Sequence, residues 1–390
     1  LDSPRGRITL IQDMLENDDA PSEKTVKHLD RCLSCMACKH HCPSGVDYAQ
    51  LIDHAHEVIA ERYQRPFSQR AIRKTLELVL PRPALFRLAL VFAYLGKPIA
   101  RWLPKQIQAM LDLAASPFKR PTAGNWGQTY SQEGVRRGRV VLLPGCAQKV
   151  LEPEINAATV RLLNRHGIEV VVPSMVGCCG ALTHHLGAIE SARASARKVV
   201  KSIAKNGWLD DCDAVLVNAS GCGTMVKDYG DILSGDELAE DAVKLSKKTR
   251  DITEYLGGIE LRSASLPRRY VVAYHRACSL HNAQGVGDGP KNLLVKAGFR
   301  VLDVPEPHMC CGSAGIYNVI EPEMAEQLRD RKVKNIRKIN PDLVAAANIG
   351  CITQIAAGAS LPTLHPIQLL DWASGGPRPL DLGGPKAAQR

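Results

Sequence analysis

Two stretches of this chain carry the same hydrophobic pattern. Val140-Val141-Leu142-Leu143 and Tyr270-Val271-Val272-Ala273-Tyr274 are short, almost unbroken apolar runs of the kind a buried strand needs. Each is followed by apolar residues at helical spacing, over 154–165 and 290–297, stopping at Gly167 or Gly298. A second β-rich run comes next (168–172, 299–304), then a long helical stretch (188–204, 323–338) and a third apolar run (214–217, 343–346). Strands alternating with helices predict a parallel sheet in each copy. Smaller features repeat too. Leu162-Leu163 answers Leu293-Leu294, and Pro173 answers Pro305.

Outside the copies the pattern is simpler. Residues 65–138 are rich in proline and basic residues and read as a helical connector. Within them, 84–95 is the most apolar stretch of the chain, interrupted by Arg87 and bounded by Pro83 and Pro98. It falls short of the roughly 20 apolar residues that cross a bilayer. A buried core helix is expected there. The alternative is a helix docking on a membrane surface or partner, with Arg82, Arg87, Lys97 and Arg101 beside it. The chain after Trp372 is rich in Gly and Pro, and 376–390 is expected to be a disordered tail.

The cysteines give the repeat its chemistry. Cys146 precedes Cys178-Cys179-Gly180, and Cys278 precedes Cys310-Cys311-Gly312, with all three positions offset by 132. A last cysteine follows in each copy, Cys222 and Cys351, offset by 129. A duplicated pattern of this length marks a duplicated unit. Ligands of open parallel sheets sit at the carboxyl ends of the strands, where these cysteines are expected to gather. Gly180 and Gly312 allow a tight backbone turn beside a bulky group. Iron–sulfur clusters are favoured as occupants. Zinc is the rival, because four thiolates also suit a closed tetrahedral site. Cys212, between Asp211 and Asp213, is left over and is expected to be an inert thiol with a pKa raised by those carboxylates. His184, His185, His275 and His281 lie near the pairs but are left off the ligand set.

A separate motif stands near the front. Cys32, Cys35, Cys38 and Cys42, with Pro43 after them, form Cys-x2-Cys-x2-Cys-x3-Cys-Pro, the bacterial ferredoxin spacing that holds a 4Fe-4S cluster. In two-cluster ferredoxins the fourth cysteine serves the other cluster. No second motif lies downstream, and none of the 31 residues before Cys32 is a cysteine. With Leu1 at its start, the chain is expected to be a fragment lacking a first cluster motif. The alternative is a single-cluster protein in which Cys42 closes its own cubane.

Length and composition narrow the field. At 390 residues the chain is expected to hold two or three domains with ample core. A chain this long does not need its 13 cysteines as a disulfide framework, so a reducing, cytoplasmic setting is expected. The net charge of +10 suits an anionic membrane face or an acidic protein partner. Nucleic acid fits poorly, because aromatic residues are only 5% and no recognition motif is present. There is no nucleotide loop, dinucleotide fingerprint or nucleophile elbow, so neither flavin nor nicotinamide is expected on this chain.

Leu1-Asp2-Ser3-Pro4-Arg5-Gly6-Arg7-Ile8, then Cys42-Pro43-Ser44-Gly45-Val46-Asp47-Tyr48, then two CCG repeats together resemble the glycolate oxidase iron–sulfur subunit family over nearly the whole chain. In that family the first of these segments follows a first ferredoxin motif. The resemblance implies a multidomain α plus α/β protein. An α-helical ferredoxin-like domain (1–64, incomplete at its start) would be followed by the connector (65–138), two duplicated α/β CCG domains (139–262 and 268–375) and the tail. It implies that Cys32, Cys35 and Cys38 hold one cluster and Cys42 serves another. It further implies FAD-binding partner subunits that oxidise glycolate, often D-lactate as well. Electrons would pass through 4Fe-4S clusters on this chain towards quinone or another membrane acceptor. The expected place is the cytoplasm, with peripheral contact at the inner face of the membrane. The repeats are also similar to those of heterodisulfide reductase, which suggests a thiol/disulfide redox subunit as the alternative. Here, however, Ala219 and Asn348 stand where that pattern has an earlier cysteine. Iron–sulfur subunits of lactate and anaerobic glycerol-3-phosphate dehydrogenases share the same modules.

Overall fold

The computed structural model describes residues 1–17, 20–114, 119, 122–124, 127–174, 176–262 and 266–382, with His40 described by its backbone alone. The chain opens with helices Pro4–Glu16, Glu23–Asp30, Ala37–His40 and Tyr48–Arg62. Three of their starts are dictated by sequence. Ser3 accepts from the Gly6 N–H with Pro4 in the first turn, Ser22 accepts from Thr25, and Asp47 accepts from Ala49 and Gln50. Their apolar faces meet in a small core of Ile11, Met14, Val26, Leu29, Tyr48, Ile52, Ala55 and Ile59. Asp30 ties this bundle to the helices of the connector. It accepts from Arg65 (2.6 and 3.0 Å) and Arg73 (3.0 Å), and Arg73 also donates to the Leu186 carbonyl at 3.3 Å.

Helices Phe67–Val79, Pro83–Gly96 and Lys105–Leu113 come next, the last two joined by the 3-10 turn Lys97–Trp102. The apolar stretch is not the buried core helix expected from sequence. Leu90 is its one buried side chain among the described residues, whereas Leu88, Phe92, Leu95, Ile99 and Trp102 are exposed. With the 3-10 turn the run from Pro83 to Trp102 reaches 20 residues, long and apolar enough to cross a membrane by length and composition. Pro98 sits in the first turn of the 3-10 segment, where its missing N–H costs nothing, so the helical run passes through a proline that reads as a boundary in the sequence.

The remainder forms two sheets. The first holds β1 (Gln128–Tyr130), β2 (Gly138–Leu143), β3 (Ile168–Val172), β4 (Ala214–Val217) and β5 (Thr249–Asp251) in the order β1-β3-β2-β4-β5. The second holds β6 (Val271–His275), β7 (Arg300–Asp303), β8 (Leu343–Ala346) and β9 (Thr363–Leu364) in the order β7-β6-β8-β9. All pairs are parallel except β1 with β3. β1 lies inside the segment read as a connector, so the first sheet begins before 139. Val140, Val141 and Leu142 are fully buried because helices cover both faces, and each side chain contributes about 1.5–3 kcal/mol of burial.

The copies share one core. Helix Glu154–Arg165 of the first packs on helix Pro366–Ala373 of the second, and one apolar cluster runs from Val140 and Leu162 through Val272 and Phe299 to Ile367 and Leu370. Their loops also meet: the Ser220 and Ser279 hydroxyls are 2.6 Å apart, and the Ser220 N–H donates to the Ala347 carbonyl at 3.3 Å. The expected tail is partly ordered. A 3-10 turn spans Leu380–Leu382 and Leu382 packs against the shared core, while 383–390 lie outside the described residues.

Candidate metal centre

In each sheet the first parallel strand is an inner one, and from it the chain moves outward on one side and then crosses to the other. β2 and β4 are neighbours at the reversal in the first copy, β6 and β8 in the second. The crevice beyond the carboxyl ends of such strands is where open parallel sheets bind ligands. Cys146 follows β2 and Cys222 follows β4, while Cys278 follows β6 and Cys351 follows β8. The adjacent pairs arrive on the loops after β3 and β7. All eight cysteines line one chamber of about 280 Å³ between the copies, closed on the far side by Leu76, Phe86, Leu90 and Met110 of the connector helices.

Within the first copy, thiol contacts run from Cys146 to Cys178 (3.3 Å between sulfurs), on to Cys179 and then to Cys222. The Cys178 sulfur is the preferred anion. Contacts from Cys146 and Cys179, and the Gly180 N–H at 3.4 Å, hold its pKa well below that of a free thiol and push those of Cys146 and Cys179 up. The second copy repeats this with Cys310 lowered by Cys278, Cys311 and the Gly312 N–H at 3.4 Å. There Cys351 is lowered as well, to about 5, by Cys311 first and His275 next. Thiolate is the metal-binding form of cysteine, and Cys178 in the first copy and Cys310 and Cys351 in the second are shifted towards it. The four-donor sets, gathered at the ends of packed strands, fit an iron–sulfur group.

The glycines after the pairs do what their position suggests. Gly180 and Gly312 have φ of +91° and +90°. An added Cβ would lie 3.0 Å from the Ala192 carbonyl oxygen in the first copy and 2.5 Å from that of Ala325 in the second. Gly312→Ala is therefore expected to cost on the order of 3 kcal/mol, at the upper end for a left-handed non-glycine residue, and Gly180→Ala less. Thermal melts and metal content of the two variants check this, with the second copy's metal lost first in Gly312→Ala.

The ferredoxin-spaced motif forms a second pocket. Cys32, Cys35 and Cys38 line it together, whereas Cys42 does not. Ser34 (φ 44°) and Met36 (φ 54°) take left-handed backbone between these cysteines, curling the loop around its own sulfurs. The Ala37 N–H bonds the Cys35 sulfur, the Lys39 N–H bonds that of Cys38, and the Tyr48 hydroxyl donates to Cys32 at 3.6 Å. Burial outweighs these bonds and raises the Cys35 and Cys38 pKa values. Cys42, on the surface side, is held low by the N–H groups of Val46, Ser44 and Gly45. The donor set and its inward N–H groups fit a cluster on three of the four sulfurs.

This pocket abuts the second copy. Asn282, on the π-helical turn Ser279–Ala283 just after Cys278, donates to the Cys35 carbonyl at 2.9 Å, and Cys35 feels the charge of Cys310. Cys212 lies apart from all three sulfur groups, buried behind β4. Its pKa is raised, but chiefly by burial; Asp213 and Asp211 contribute less than expected, and Lys248 opposes them. His275, left off the ligand set on sequence grounds, belongs to the site. Its ring lies with Cys311 and Cys351, their ligand atoms all within 4.8 Å of one another. The available signal is its place as the last residue of an apolar run ending at a cysteine loop.

Comparison with known proteins agrees with this arrangement. Residues 140–227 and 272–356 each match the cysteine-rich domain family CCG. The chain is 37% identical over 379 residues to the glycolate oxidase iron-sulfur subunit of Escherichia coli strain K12, covering 96% of this chain and 88% of that one. It is 30% identical over 372 residues to the probable glycolate oxidase iron-sulfur subunit of Bacillus subtilis strain 168, covering 91% and 83%. Lactate utilization protein A of Geobacillus thermodenitrificans is 29% identical over 243 residues, 60% of this chain and 98% of that protein. The chain belongs to the glycolate oxidase iron–sulfur subunit family.

Proposed function

We propose that this chain is the electron-transfer subunit of a glycolate dehydrogenase complex that also accepts D-lactate. FAD-binding partner subunits oxidise the 2-hydroxy acid, and a quinone or other membrane acceptor takes the electrons. Cys32, Cys35 and Cys38 hold a 4Fe-4S cluster in a ferredoxin-like helical domain. Cys42 belongs to a further cluster. Cys146, Cys178, Cys179 and Cys222 hold one centre in the first CCG domain, and Cys278, Cys310, Cys311 and Cys351 another in the second. When bound, such clusters take up and release electrons singly. The observation that carries this reading is the juxtaposition of three sulfur groups, two around one apolar chamber and the third joined to it through Asn282 and Cys35.

The chain's own groups set the conditions. Backbone N–H groups of Ala37, Lys39, Gly180 and Gly312, the Tyr48 hydroxyl and the Asn348 amide (3.8 Å from the Cys351 sulfur) donate to sulfur and stabilise its negative charge. Leu76, Phe86, Leu90 and Met110 give the chamber an apolar wall. The exposed face of Pro83–Trp102, with Phe92, Leu95, Ile99 and Trp102 beside Arg82, Lys97 and Arg101, supports a cytoplasmic protein resting on the inner face of the membrane.

Anaerobically purified chain is expected to be brown, rich in iron and labile sulfide, and unable to oxidise glycolate alone. Adding the flavin subunits should restore glycolate-dependent dye reduction. A colourless, zinc-loaded chain, or full glycolate oxidation without partners, would overturn the proposal. The chamber also favours a second reading, a small disulfide reduced between the two thiol groups. Disulfide reduction by the isolated chain, lost in both Cys178→Ala and Cys310→Ala, would support that instead.

A further inference from the structure

The two copies superpose by strand register, and that register shows that they are not equivalent. Leu143 at the end of β2 pairs with Val217, and at the same place in the second copy His275 at the end of β6 pairs with Ala346. The first copy thus presents a hydrocarbon side chain to its sulfurs where the second presents an imidazole. His275 is 2% exposed, and its Nδ1 has no hydrogen-bond partner among the described residues. A buried nitrogen left in that state costs free energy unless something fills its lone pair or takes its proton. A nitrogen of the same ring and the Cys311 and Cys351 sulfurs lie within 4.8 Å of one another, and the ring bonds the Cys351 sulfur.

A second difference lies behind the adjacent pair. The helix carbonyls that crowd Gly180 and Gly312 belong to Ala192 and Ala325. Counting along the helices from these, Val199 in the first copy corresponds to Lys332 in the second. Both are buried. Burial lowers the Lys332 pKa, while Cys311, Cys310 and Cys351 oppose that fall, so this amine stands beside three sulfurs of the second set, whereas Lys149 of the first copy feels Cys146 alone. Four neutral polar groups are buried in the first copy, where Gln148, Asn156, Thr159 and Asn218 bond to one another.

We propose that the second copy's centre has a mixed donor set, in which His275 supplies an imidazole nitrogen to the metal held by Cys311 and Cys351, while the first copy's centre is held by thiolates alone. This rests on the proposal that the CCG cysteines hold iron. An imidazole that takes an iron position from one of the four thiolates removes negative charge from the centre and raises its reduction potential. The second centre, next to Cys35, is therefore the more easily reduced of the two.

The test is pulsed electron paramagnetic resonance on the reduced full-length chain, grown with and without histidine labelled with heavy nitrogen, alongside an iron count. The expected result is a directly bound nitrogen whose coupling changes with the label and is lost in His275→Leu, the residue found at this position in the first copy. The potential of the remaining signal should fall in that variant. Leu143→His should add a second nitrogen-coupled centre. Iron present in the CCG cysteines with no labelled nitrogen coupling, or coupling that survives His275→Leu, overturns the mixed donor set alone. Iron that does not exceed a single ferredoxin-type cluster overturns the proposal of iron in the repeats as well, and the iron count shows this without spectroscopy.

Discussion

Cys35→Ser is expected to lower glycolate-dependent dye reduction by the reassembled complex more than about 100-fold, beyond what loss of a supporting residue around a metal costs. Cys35 is the residue at which two of the sulfur groups meet. It lines the front pocket with Cys32 and Cys38, and its carbonyl accepts from Asn282 on the loop that carries Cys278. A serine hydroxyl at that position stays neutral, because its proton is far less acidic than that of a thiol, and so removes one anionic donor from the set. Cys212→Ala provides the control. That thiol is buried behind β4, away from all three sulfur groups, and its loss should leave dye reduction unchanged. Dye reduction by Cys35→Ser within about threefold of the unaltered complex would remove Cys32, Cys35 and Cys38 from the electron path.

The reliable sequence signals are the long ones. Each four- to six-residue apolar run forms a strand of the parallel sheets, because a strand covered on both faces needs hydrophobic residues at every position. The 132-residue offset brings matching cysteines to matching strand ends. Short, polar elements stay hidden. β5 is Thr249-Arg250-Asp251 and β9 is only Thr363–Leu364, and neither contains an apolar run. Both lead into a helix through a capping box, Asp251 with Glu254 and His365 with Gln368. The first of these is readable, since Asp followed three residues later by Glu is a known start signal. The second is not, because histidine is an unusual cap. β1 escapes the pattern because an antiparallel edge strand can be polar, as Gln128 and Thr129 are.

The site is legible in its donors and not in its surroundings. Sulfur spacing points to the gathering of cysteines, but residue-by-residue pattern gives no way to see that the front loop touches the second copy. That contact depends on how three packed units are oriented. His275 is hidden for a related reason. A histidine beside a cysteine loop is common, and only the register of β6 against β8 shows its ring placed among the sulfurs.

Asp371→Ala is expected to destabilise the fold by about 3 kcal/mol, since removing one partner of a buried ion pair leaves uncompensated charge. Asp371 is 1% exposed and lies on helix Pro366–Ala373 of the second copy. Arg161 (2.8 Å) and Arg165 (2.9 Å), on helix Glu154–Arg165 of the first, both donate to its carboxylate. Losing the carboxylate strands Arg165 in a mostly buried place, with the Ser374 hydroxyl and the Asp371 backbone carbonyl left to it among the described residues. Arg161 keeps Glu154, so the loss lies at the lower end of the usual range. The melting temperature should drop by roughly 6–12 °C. Replacing all three with apolar residues, Asp371→Leu with Arg161→Met and Arg165→Met, should recover much of the loss, because a dry, well-packed contact removes the desolvation cost along with the attraction. If the single variant melts as the unaltered chain does, the ion pairs contribute nothing to joining the copies, which is then left to the shared apolar core and the loop hydrogen bonds. If the triple variant melts no higher than the single one, the charges specify how the two helices meet as well as how strongly. The separation of the two cysteine groups across the chamber depends on that geometry, so the triple variant's electron-transfer rate distinguishes a role in stability from one in alignment.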